Sequence, residues 1–164
     1  MDVLLEASGW ADVPLDQLAQ EAMRATLTHL DVPMDDSAAS LMACDDARIA
    51  DLNETFRDKP TPTNVLSWPA QELATGTAGA VPRKPEVDFD GTIELGDIAI
   101  AHETCVKEAK TLEKPLNNHV THLIVHGILH LLGYDHIEDT DAALMQRLEA
   151  EILEKLGLDD PYCI

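Results

Sequence analysis

Helix-like and strand-like stretches alternate along the chain, and this interleaving predicts an α/β-like fold. Two further observations point to one domain spanning residues 1–164. At 164 residues the chain can bury an adequate core without disulfides. From Val120 to Leu132 it is apolar nearly all round, the mark of a helix buried at the centre of such a core.

Residues 3–6 read as a short strand. Residues 15–30 carry Leu15, Leu18, Ala19, Ala22, Met23 and Leu27 at helical spacing. Residues 40–44 are strand-like, and Asp45 or Asp46 then caps a helix reaching about Arg57. Pro60 and Pro62 break that helix, and residues 64–68 form a strand ended by Pro69. Residues 71–90 hold Pro, Gly, Thr and Ala without periodicity and are expected to form a flexible surface loop. A strand over 93–101 follows, then helices near 102–112, 116–132 and 139–156. The chain shows no internal repeat.

Charge restricts the choice of partners. Thirty-one acidic residues against eleven basic ones leave a net charge of −20 at pH 7. That argues against general affinity for nucleic acid, which rests on neutralising phosphates. The basic residues are unevenly placed: Asp51 to Lys114 holds seven of the eleven against twelve acids, a net of −5. There is room for a local basic rim but no basic stripe. Aromatic residues make up 4% of the chain, so the core is expected to be aliphatic. No stretch approaches the roughly 18 apolar residues of a membrane span. Asp2 and Glu6 stand where a secretory leader needs basic residues. Cys44, Cys105 and Cys163 are scattered without metal-ligand spacing and read as free thiols. The expected location is the cytoplasm.

The most specific chemistry lies at the end of the buried helix, in the run from His126 to His136. His126 and His130 are four residues apart, so on a helix they share one face about 6 Å apart along the axis. Gly133 lets the chain leave the helix, and the turn can return His136 over the same face. Three neutral imidazoles converging on one point are the ligand set of a catalytic zinc site, with the fourth position left for water. A buried stripe of imidazoles without carboxylates on its own face is well satisfied by a cation. His122, one turn earlier, can be a ligand, a partner of a ligand or a wall residue; three imidazoles and water favour the last two. His119 lies farther down the axis and reads as structural. Asp135 either orients an imidazole or caps the helix starting near Asp139.

The spacing His-x-x-x-His-x-x-Gly-x-x-His is shared with the metzincin proteases, which place a glutamate base directly after the first histidine. Gly127 stands there instead, which disfavours that mechanism. No other residue reads as an obvious general base.

The run from His126 to His136 resembles the signature of the YbeY family, zinc-dependent endoribonucleases of bacterial ribosomal-RNA maturation. The resemblance extends to residues 52–57 followed by 63–69, to residues 95–100 and to residues 145–157, in the family's order. It covers about two-thirds of the chain, from Ala43 onward. Trp68 departs from the family's usual Phe, and residues 71–90 exceed the length the family usually carries.

The resemblance implies an α+β fold: a small mixed sheet packed with about five helices, and a metal site on a central buried helix. It implies one zinc per chain, held by His126, His130 and His136. It implies a single-strand-specific endoribonuclease acting in 3′-end maturation of small-subunit ribosomal RNA and in ribosome quality control. The family's functional arginine falls at Arg57; by itself this residue reads as a surface arginine at a helix end, where cations are favoured. A planar, permanently charged fork suits a phosphate. Lys59 either assists or is solvated, Ser67 either contacts substrate or is a plain sheet residue, and His102 opens a helix as a cap neighbour. Partners are expected to be ribosomal RNA with the small ribosomal subunit or a ribosome-associated protein, with no membrane and no DNA. A metal hydrolase of another class, peptidase-like, and a ribosome-associated factor with a structural zinc are the rival readings.

Overall fold

The computed structural model describes residues 1–162. Four strands form one sheet: β1 (Asp2–Leu5), β2 (Ser37–Cys44), β3 (Val65–Pro69) and β4 (Ile93–Ala101), in the order β1-β2-β4-β3. β1, β2 and β4 run parallel, and β3 pairs antiparallel with β4 at the outer edge. Among the described residues there are five α-helices: α1 (Leu15–His29), α2 (Asp46–Arg57), α3 (His102–Thr111), α4 (Leu116–Leu131) and α5 (Asp139–Lys155). The class is α+β around a small mixed sheet. The interleaving seen in the sequence did not enforce a parallel sheet because no helix joins β3 to β4, so nothing carries the chain over for a parallel return.

Alternation along β4 explains the layers. Ile98 and Ile100 face one side, where α1, α4 and α5 supply the main core; Ala99 and Ala101 face the other, under Ile49 of α2. α4 lies at the centre. Its Val120, Ile124, Val125, Ile128, Leu129 and Leu131 are all fully buried, each adding about 1.5–3 kcal/mol. A helix held that firmly is a fixed platform for the side chains at its end.

Of the two candidate caps for α2, Asp45 is the one used: its carboxylate accepts from the Arg48 N–H at 2.8 Å. β2 starts at Ser37, three residues before the strand-like run in the sequence, and a short 3₁₀ helix (Ser8–Asp12) was not anticipated. That turn buries Trp10 completely, with its indole N–H donating to the Cys44 carbonyl at 2.8 Å. The segment between β3 and β4 contains no helix or strand, yet it is anchored. Leu73 is buried, and the Gln71 side chain bonds the backbone at Glu86 and Glu94. Cys44 and Cys105 are buried free thiols; Cys163 lies outside the described residues. No helix among the described residues is long and apolar enough to cross a membrane.

Candidate metal centre

The last two turns of α4 carry His126 and His130 on one face, as their spacing requires. The helix then stops in a left-handed turn at Gly133 (φ +98°), with the Gly133 N–H donating to the His130 carbonyl and the Tyr134 N–H to the Leu129 carbonyl, both at 3.0 Å. An added Cβ at Gly133 would meet Pro82 at 2.9 Å and Leu73 at 3.0 Å, so the turn is packed closely against the segment between β3 and β4. The chain doubles back, and Asp135 accepts the His136 N–H at 2.7 Å. Asp135 therefore holds the backbone of the third histidine; it neither binds an imidazole nor caps α5, whose N-cap is Glu138.

His126, His130 and His136 each offer a ring nitrogen, and these atoms lie within 4.8 Å of one another. Among the described residues this is the cluster that could hold a metal ion. The fit to a cation follows from the protons. His126 Nδ1 lies 2.6 Å from Glu149 Oε1, and His130 Nδ1 lies 3.0 Å from the Tyr134 carbonyl. Both acceptors lack a proton to give, so each neutral ring carries its proton on Nδ1. The two Nε2 lone pairs then face each other across 3.0 Å. Two lone pairs at that distance repel unless a proton or a metal ion lies between them. Nitrogens bound at about 2.0–2.1 Å to tetrahedral zinc would sit about 3.3 Å apart, close to this separation. Burial, and after it the cost of placing a positive charge against the other two rings, pushes the His130 pKa down to about 4, which keeps that imidazole neutral.

Glu149 of α5 is the residue that sequence reasoning missed. Its side chain is 1% exposed; Oε1 faces His126 and, at 3.3 Å, His122 Nε2, while Oε2 accepts from the Tyr162 hydroxyl at 2.5 Å. Burial pushes this carboxyl up, but the hydrogen bonds from His122, His126 and Tyr162 outweigh it and hold the pKa at about 2. A signal was present: Glu149 falls on the stripe of Met145, Leu148, Ile152 and Leu153, where a charge must have partners.

The histidines open onto a groove of about 1230 Å³ that also takes in Arg57, Lys59, Asn64 and Ser67. Arg57, at the end of α2, is exposed and forms no ion pair or side-chain hydrogen bond among the described residues. Ser67 on β3 bonds the Gly127 carbonyl at 3.5 Å, tying the edge strand to α4. Gly127 itself faces the sheet: a Cβ there would stand 3.0 Å from Ile98 Cδ1, so the absent glutamate reflects close helix–strand packing. His122 lies 3.3 Å from Glu149 and packs edge-on against the His126 ring, and His119 is buried with Nε2 at 2.9 Å from Glu108. His102 stacks edge-on against Trp10, away from the groove.

Residues 7–157 match the model of the endoribonuclease YbeY family. A protein of Ruegeria sp. (strain TM1040) named endoribonuclease YbeY is 57% identical over all of this chain and 96% of its own length. Its namesake in Ruegeria pomeroyi is 56% identical, covering 99% of this chain and 97% of that one. The chain belongs to the YbeY endoribonuclease family. A more distant YbeY relative in Azorhizobium caulinodans is 43% identical over the whole chain and 96% of its own length. The solution structure of a Thermotoga maritima protein, 22% identical, superposes with a TM-score of 0.59 over 99% of both chains and supports the fold. The segment matched to YbeY contains Arg57, Glu149 and all three histidines; Tyr162 lies beyond it.

Proposed function

We propose that this chain is a zinc-dependent, single-strand-specific endoribonuclease acting in 3′-end maturation of small-subunit ribosomal RNA and in ribosome quality control, working in the cytoplasm as one domain. The observation that carries the reading is the juxtaposition, in one groove, of three converging imidazoles and an exposed arginine. Family membership supports the nuclease class.

His126, His130 and His136 would hold one zinc ion per chain. Bound there, the ion supplies a water of lowered pKa and Lewis acidity toward a phosphodiester. Arg57 binds the scissile phosphate through its planar fork and offsets the negative charge that grows as the phosphodiester is cleaved. Helix α4 keeps the imidazoles fixed while substrate enters, so little reorganisation accompanies the chemistry. With a net charge of −20, the chain gains little from the general field of an RNA. Selectivity is therefore assigned to the small ribosomal subunit or a ribosome-associated protein presenting the strand.

The test is metal content measured beside cleavage of ribosomal RNA for wild type, His130→Ala and Arg57→Ala. One zinc per chain is expected in wild type and Arg57→Ala, with cleavage lost in both variants and metal lost only in His130→Ala. Metal bound but cleavage untouched by either substitution would overturn the nuclease reading in favour of a zinc-stabilised maturation factor.

A further inference from the structure

Glu149 is an odd residue to find in a core. An ionised carboxylate taken out of water costs several kcal/mol unless it is fully paired, and this one is 1% exposed on a helix face otherwise made of Met145, Leu148, Ile152 and Leu153. Its pairing is complete and directional. Oε2 is taken by the Tyr162 hydroxyl, which leaves Oε1 for the imidazoles of α4. Of these, His126 is much the closer, at 2.6 Å against 3.3 Å for His122. Such a short contact is the mark of a charge-assisted bond.

Resting on the metal reading above, we infer that Glu149 is a positioning residue for the metal centre, holding the His126 ring with its proton on Nδ1 and its Nε2 lone pair toward the ion. The carboxylate lies on the far side of the ring from Nε2, so it is no fourth ligand; the ligand cluster among the described residues contains histidines only. His130 is oriented in the same sense by the neutral Tyr134 carbonyl. The two helix ligands are therefore unequal. Of the two, only His126 directs its Nδ1 at a carboxylate. Tyr162, by occupying Oε2, keeps the carboxylate turned toward α4.

The test uses the full chain and zinc itself, titrated against a chelator of known affinity, in wild type, Glu149→Gln, Glu149→Leu and Met145→Ala. The last opens the same helix interface without touching the carboxylate. Outer partners of metal-bound histidines are worth about 10–100-fold in affinity. Glu149→Gln keeps an acceptor and loses the charge, and should weaken zinc about 10-fold; Glu149→Leu loses both, and should weaken it about 100-fold. Met145→Ala should bind as wild type does. Proton NMR of the zinc-loaded proteins supplies a signature that packing alone would not produce. The His126 Nδ1–H resonance should lie far downfield in wild type, move upfield in Glu149→Gln, and be lost to solvent exchange in Glu149→Leu. Zinc bound equally tightly by wild type and Glu149→Leu would overturn the positioning role, as would an equal loss in Met145→Ala. Failure of wild type to take up zinc would overturn the metal centre itself, and the role of Glu149 with it.

Discussion

Replacing Gly133 by Ala attacks the turn that brings His136 to the other two histidines. Gly133 has φ +98°, beyond the narrow left-handed region that an L residue tolerates, so the backbone alone costs about 1–2 kcal/mol. The new Cβ would also stand 2.9 Å from Pro82 Cβ, 3.0 Å from Leu73 Cβ and 3.1 Å from the Ala74 nitrogen. Leu73 is buried, and that side of the turn has little freedom to retreat; overpacking of this kind costs about 1–3 kcal/mol. Together the two effects predict a loss of about 2–5 kcal/mol if the turn keeps its shape. If it relaxes instead, part of that loss is recovered and His136 moves away from its partners. Urea unfolding of the chelator-treated protein reads the first quantity, and zinc titration against a competing chelator reads the second. At least one must change. A variant within about 0.5 kcal/mol of wild type that also binds zinc as tightly would refute the claim that this turn positions the third histidine.

Ile128→Ala should cost about 2–5 kcal/mol in urea unfolding, because the side chain is fully buried where α4 meets the sheet and helices fixed around it limit collapse of the cavity. Tyr162→Phe should cost about 1–3 kcal/mol in the same assay, by leaving Oε2 of the buried Glu149 without its donor. Burial pushes the thiols of Cys44 and Cys105 up to about 12, so at pH 8 only about one in ten thousand is ionised and reactive. Peptide mapping after alkylation of the native protein should find both unmodified, with labelling appearing only on denaturation; rapid labelling of either in the native state would refute their burial.

The histidine triad was legible because its geometry is local. A four-residue interval on a helix and a glycine at its end specify the meeting of three side chains within eleven residues of chain. Glu149 was not, because its partners lie 23 and 27 positions earlier on α4 and 13 positions later at Tyr162. In an acidic chain, one more glutamate on an amphipathic helix looks solvated. The same distinction separates the elements. α1 and α4 declare themselves through long apolar periodicity, whereas the turn around Trp10 is too short to have a period, and Ser37, Ala38 and Ala39 are poor strand formers held in place by β4. The direction of β3 depends on what the connection after it lacks, and periodicity cannot report that.

The position of the imidazoles along α4 has an electrostatic consequence. Aligned peptide units give a helix a macrodipole, equivalent to roughly half a negative elementary charge at its C-terminal end. His126 and His130 occupy the last two turns, so this partial charge lies beside the point on which the three rings converge. It adds to the attraction for a cation without contributing a ligand, and it comes from backbone that no side-chain substitution removes.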